Sequence, residues 1–207
     1  MNRRPPIDVA LSALGMPLPA SAAATKARNL IESAAPPFLV NHSVRSYAWA
    51  VALAEHDRTE FDPEVLYIAA LLHDVGLISR FDSGGCFEED GALAAERLVL
   101  DAGWPVSRGR AVRDAIRLHM ALDLPDDASQ ETRLLWDSTG VDVTGYRFAD
   151  LPDALVRDVI EAYPRLDFKR AFAAQFEDQA ARKPACRAAE MVLAGMIDTI
   201  HSAPFES

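Results

Sequence analysis

The chain has 207 residues, half of them hydrophobic, and a formal net charge of −10. That length fits one domain with a sizeable core. The acidic balance argues against nucleic-acid binding, which relies on Lys and Arg against phosphate. No stretch approaches the ~18 apolar residues of a membrane span, so the expected partner is a small molecule.

Two cysteines, Cys86 and Cys186, stand far apart and fit no CxxC spacing. They read as reduced thiols of a cytoplasmic protein, with a single disulfide left open. Arg3-Arg4, Val9–Leu14 and Ala20–Ala24 imitate a signal peptide, but Pro5, Pro6, Asp8, Pro17 and Pro19 interrupt the apolar run. Residues 1–20 are therefore expected to form an irregular N-terminal arm, with one helical domain over 21–207.

Ser21 is a suitable N-cap for a helix to about Ala34, and Pro36-Pro37 should terminate it. A second helix is expected from about Asn41 to His56. Its residues Val44, Tyr47, Ala48, Val51 and Ala52 recur at helical spacing. Asp62-Pro63-Glu64 places an N-cap and an N1 proline before the next helix. That helix, Val65–Gly76, is apolar around most of its circumference, as a buried central helix is, yet it closes on His73-Asp74. Gly76 is its expected C-cap.

A helix over Glu89–Asp101 follows the Ser83–Gly85 loop. Val112, Ile116 and Met120 place another around His119. Ser129 caps a helix over Gln130–Thr139, and Gly140 and Gly145 bracket a short turn. Leu155–Ala162, Phe168–Ala181 and Pro184–His201 complete the series. No strand signal competes, so the expected class is all-α, a single compact domain with short loops. The apolar faces of the last three helices could serve the core or a homo-oligomer contact.

An imidazole and a carboxylate at the end of a buried helix cost several kcal/mol if unpaired. A divalent metal would satisfy both. His42 and His119 lie on or at the ends of other core helices. Asp142 sits between Val141 and Val143, a setting for a buried carboxylate. Asp137, further back on the same stretch, is its rival. His56 and His201 have no evident partners.

The spacing resembles the HD superfamily of metal-dependent hydrolases: a first His, a His-Asp pair one helix later, and a distant Asp. Within it the likeness is to the cyanamide hydratase-like group. It is carried by Asn41-His42-Ser43-Val44-Arg45-Ser46-Tyr47, Leu71-Leu72-His73-Asp74-Val75-Gly76, Phe87-Glu88 with Gly91-Ala92, Ile116-Arg117-Leu118-His119 and Asp142-Val143-Thr144-Gly145. Tyr163-Pro164-Arg165 is similar to a further segment of that group.

The resemblance implies an all-α HD fold and one divalent metal held by His42, His73, Asp74 and Asp142. Imidazole and carboxylate without thiolate suit Zn first, with Fe or Mn as alternatives. Two-iron members use more histidines between the His-Asp pair and the last Asp; here only His119 lies there. The implied chemistry is addition of metal-activated water to a small polar substrate. A nitrile such as cyanamide is the leading case, with His119 or Glu88 relaying the proton and Asp74 at the reacting centre.

Two other readings compete. One is an HD phosphohydrolase acting on a nucleotide or other phosphomonoester, for which Arg45, Arg80 and Arg117 are the few nearby cations. The other is a non-catalytic metal-stabilised binding module. A pocket with room for a few atoms favours the nitrile. A wider cleft with Arg or Lys facing the metal favours phosphate.

Overall fold

The computed structural model describes residues 6–206, and all its regular elements there are helical. They are α1 (Ile7–Ala13), α2 (Ala22–Ala34), α3 (Pro37–Asp57), α4 (Pro63–Leu72), α5 (Phe87–Leu100), α6 (Val106–Leu118), α7 (Gln130–Thr144), α8 (Asp153–Ala162), α9 (Phe168–Arg182), α10 (Arg187–Leu193) and α11 (Met196–Ser202). No described helix is long and apolar enough to cross a membrane.

Local chemistry sets several of the starts. The Ser21 and Ser129 hydroxyls accept from the Ala24 and Thr132 amides. The Asp62 carboxylate accepts from Glu64 and Val65. These bonds satisfy amides that a helix N-terminus otherwise leaves orphaned.

Buried residues run unbroken from Leu39 to Ala54 in α3 and from Val65 to Leu72 in α4. These two helices form the centre of the molecule. Both α3 and α4 pack on each other and on α7, and α5 pairs with α6 along their lengths. A second apolar cluster joins Leu39 and Phe87 to Phe168, Phe172 and Phe176 of α9 and Ile200 of α11.

Six expectations are corrected. The arm is not irregular throughout: Ile7–Ala13 is a helix that buries Ile7, Ala10 and Leu11, an i, i+3, i+4 stripe. Arg3, Arg4 and Pro5, part of that expectation, lie outside the described residues. Pro37 begins α3 at N1 instead of only ending α2, because a helix start loses nothing by a missing N–H. α4 stops at Leu72, and a 3-10 turn, Val75–Leu77, carries the chain onward. There Gly76 meets α5 so closely that a Cβ would lie 2.0 Å from the Phe87 carbonyl oxygen.

α7 continues through Gly140 to Thr144 and closes at Gly145, whose φ of 81° is the left-handed cap that glycine favours. The last predicted helix is two, broken at Gly195 with φ 92°. Finally, Cys86 and Cys186 are not free thiols: they form a disulfide joining the starts of α5 and α10. Sequence separation hid that proximity, since 100 residues lie between them.

Candidate metal centre

Three helices deliver three imidazoles to one point. His42 sits within α3, His73 caps α4 and His119 caps α6; all are buried. At the two caps the ring bonds backward. His73 Nδ1 donates to the Ala70 carbonyl at 2.8 Å, and His119 Nδ1 donates to that of Ile116 at 2.6 Å. Each uses a carbonyl that the end of a helix leaves unpaired. His42 Nδ1 donates to Asp142 Oδ2 at 2.8 Å.

These partners only accept, so each Nδ1 holds a ring proton, which leaves Nε2 as the ring atom that could offer a lone pair to a metal. The Nε2 atoms converge on Asp74. His42 Nε2 is 3.0 Å from His73 Nε2. Asp74 Oδ2 lies 3.3 Å from the first and 3.2 Å from the second. His119 Nε2 lies 3.6 Å from Asp74 Oδ1. Neither Asp74 carboxylate oxygen has a hydrogen-bond partner, although the residue is buried.

Acceptors facing acceptors in a dry interior repel unless a cation lies among them. A divalent metal fits that requirement. Separations of 3.0–3.3 Å among the His42, His73 and Asp74 ligand atoms match the ~3.3 Å edge of a tetrahedron with ~2.0 Å bonds to nitrogen and oxygen. Those three residues could hold the ion, and their donor atoms form one compact group.

The charges agree. Burial lowers the affinity of His73 for a proton, with Asp74 opposing, and the net shift is downward, toward the neutral ligand form. Burial opposes ionisation of Asp74, but His73, His119 and His42 outweigh it and hold the carboxyl well below the usual range. Burial would also lower His42, but Asp142 and Asp74 outweigh it and the shift is upward.

Asp142, expected as the fourth ligand, lies apart from the compact donor group. Its carboxylate stands behind His42, on the Nδ1 side, and is saturated. It accepts from Arg45 Nε (2.8 Å) and Nη2 (2.6 Å), Trp49 Nε1 (2.9 Å) and Arg165 Nη1 (3.2 Å). Burial opposes its charge, but Arg45 and Arg165 hold it well below the usual range. Such a carboxylate fixes the ring orientation and tautomer of a ligating histidine. Asp137, its rival, binds Arg147 at 2.7 Å in an ion-pair network with Asp57 and Asp150.

Trp49 and Arg165 were not assigned to the site from sequence. His42, Arg45 and Trp49 are spaced i, i+3 and i+7, one face of a helix; that spacing was the available signal. Glu88 is displaced from its expected role. It is buried in the first turn of α5, burial pushes its carboxyl up, and it does not line the cavity.

A cavity of about 320 Å³ opens onto His42, His73, Asp74 and His119. Beyond them its walls are almost wholly apolar, including Trp136, Val143, Tyr146, Phe172, Met191 and Met196. Among the described residues no Lys or Arg lines it. Arg45 is committed to Asp142, while Arg80 and Arg117 are exposed, over the Phe81 ring and beside Asp114 respectively.

A family model for the HD domain matches residues 39–137. That stretch contains His42, His73, Asp74 and His119 and ends before Asp142. Two proteins of Saccharomyces cerevisiae, cyanamide hydratase DDI2 and cyanamide hydratase DDI3, are each 28% identical to this chain over 151 residues. The match covers 70% of this chain and 67% of each relative.

Proposed function

Because residues 39–137 belong to the HD-domain family, we propose that the protein is a metal-dependent enzyme that adds water to the nitrile carbon of a neutral substrate. The observation that carries this reading is the cavity. It ends on His42, His73 and Asp74, and among the described residues no Lys or Arg lines it. A phosphomonoester dianion would enter with no side-chain cation to meet it, against the usual pattern of phosphoryl sites. The likeness to two cyanamide hydratases points the same way. An open cavity reaching the ligands also separates the site from a closed structural metal.

When bound, a divalent ion would supply Lewis acidity and lower the pKa of a water molecule toward neutrality. The donor set, imidazole and carboxylate without thiolate, suits Zn, with Fe and Mn as alternatives. The chain supplies the rest. His42 and His73 present lone pairs in planes fixed by Asp142 and the Ala70 carbonyl. Asp74 contributes the negative charge. In hydration a C–O bond forms at the nitrile carbon, one C–N π bond breaks, and a water proton moves to nitrogen. A second proton shift gives the amide, which for cyanamide is urea. His119 lines the cavity with Nδ1 tied to Ile116 and Nε2 3.6 Å from Asp74 Oδ1, so Nε2 can take the proton from water and return it to the substrate.

The test is direct. Zinc-loaded protein is incubated with millimolar cyanamide, and urea release is compared with phosphate release from nucleotides. Urea without phosphate is the expected result; phosphate without urea would overturn the reading. Location needs its own test, because a Cys86–Cys186 bridge persists in oxidising surroundings and is rare in the cytosol. Thiol titration of protein purified without reductant checks the cytoplasmic expectation.

A further inference from the structure

The cavity is too large and too apolar for cyanamide alone. Cyanamide has three non-hydrogen atoms. A volume of about 320 Å³ holds roughly ten water-sized atoms at ~30 Å³ each. Beyond the metal-binding cluster the lining is made by the rings of Trp136, Tyr146, Phe172 and Phe176 and the thioethers of Met191 and Met196. Trp136 and Tyr146 pack edge to face at 5.5 Å, and the Phe172 and Phe176 rings lie tilted to each other at 5.0 Å.

Three of the polar side chains along this wall have already spent their protons on the protein. Trp136 Nε1 donates to the Ala121 carbonyl, Thr139 Oγ1 to Trp136, and Thr144 Oγ1 to Gly140. A sugar or other hydroxylated body would find little to bond. An apolar body would gain from every atom it removes from water.

We propose that the substrate is an apolar nitrile of about ten non-hydrogen atoms, its aryl or alkyl body seated in this cavity and its cyano carbon at His42, His73 and Asp74. The inference rests on the hydratase reading for the reacting group and on the cavity for the body. Water adds across the C–N triple bond as before, and the product is the corresponding carboxamide.

Two measurements on the zinc-loaded full chain separate the parts. Along acetonitrile, propionitrile, butyronitrile and pentanenitrile, kcat/KM should rise about fourfold per methylene until the cavity is full, and benzonitrile should exceed cyanamide. Calorimetric titration with benzamide, the product of benzonitrile, should show binding with a negative heat-capacity change, while urea binds far more weakly. Met196→Trp, which fills the outer cavity, should lower the benzonitrile-to-cyanamide ratio of kcat/KM at least tenfold.

Urea formation from cyanamide, with no benzamide binding and rates that fall along the series, would overturn the inference and leave the hydratase reading intact. Benzamide binding without hydration of any nitrile would uphold the apolar ligand and overturn the nitrile as its reactive group.

Discussion

Replacing Asp142 by alanine should destabilise the protein more than any other single change near the site. The carboxylate accepts from His42, twice from Arg45, and from Trp49 and Arg165, all at 2.6–3.2 Å and all buried. Arg45 would keep the carbonyls of Tyr163 and Pro164, and Arg165 would keep the Asp142 carbonyl and the rings of Phe168 and Phe205. Neither would keep its counter-charge. Breaking a buried ion pair in this way costs about 3–5 kcal/mol, a large part of a typical 5–15 kcal/mol. At an m-value near ~2 kcal/mol/M the urea midpoint should fall by about 2 M.

Metal binding gives the second readout of the same substitution. With Asp142 acting through His42, affinity should fall about 10–100-fold without vanishing. Asp142→Asn, whose amide oxygen can still accept from His42 Nδ1, should lie between wild type and alanine in both assays. The assays are urea unfolding followed by circular dichroism, and competition against a zinc chelator. Unchanged stability in Asp142→Ala would refute the buried-network account. Abolished metal binding in Asp142→Asn, with stability intact, would make Asp142 a ligand after all.

His73→Ala should lose bound metal and turnover together, and the rise in melting temperature on adding zinc should disappear; full activity without metal would sink the metal reading. Reduction of the Cys86–Cys186 bridge reopens a loop of 100 residues, which in the chain-entropy picture costs up to about 4.7 kcal/mol. The Cys86→Ser/Cys186→Ser protein should therefore melt earlier, and two titratable thiols in unreduced wild type would contradict the bridge. Asp82 is held at about 2 chiefly by Lys183, against an ordinary 3.8. Its folded value is depressed, so its stabilisation is complete above pH ~4 and is lost as pH falls toward 2. Asp82→Asn should flatten the stability profile across that window; an unchanged slope would show that the contact contributes nothing.

What the sequence discloses is what local chemistry decides. Ser21, Asp62-Pro63 and Ser129 fix helix starts through bonds within three residues, and the starts of α2, α4 and α7 lie where those residues put them. Positions that admit two local outcomes were misjudged. Pro37 can end one helix or open the next, and Gly140 can break a helix or sit inside one where its missing side chain leaves room for Tyr146. In the site, helical spacing and the end of an apolar helix pointed to His42, His73, Asp74 and His119, which the structure brings to one point. The side of His42 on which Asp142 stands depends on how α3 and α7 pack, and no spacing rule contains that. Phe168, Phe172 and Phe176, four residues apart, belong to an apolar face that the sequence left open between the core and a homo-oligomer contact.

Those three phenylalanines connect the candidate metal centre to the cavity. Phe168 stacks on His42 at 4.7 Å and lies beneath both Arg45 and Arg165. Phe172 packs against the same imidazole at 5.3 Å and also lines the cavity. Phe176 meets Phe87, whose ring lies 6.0 Å from that of His119. One face of α9 thus holds the His42 ring plane, covers the buried charges around Asp142 and forms an apolar wall for the ligand. Excluding water from that face lowers the local dielectric, which strengthens the attraction of Asp74 and the imidazoles for a cation. It also makes the same cations costly to bury without their carboxylate. On the proposed reading the apolar cavity and the charged cluster are therefore a single solution: the wall that would favour an apolar substrate would also make the four converging polar groups depend on a metal.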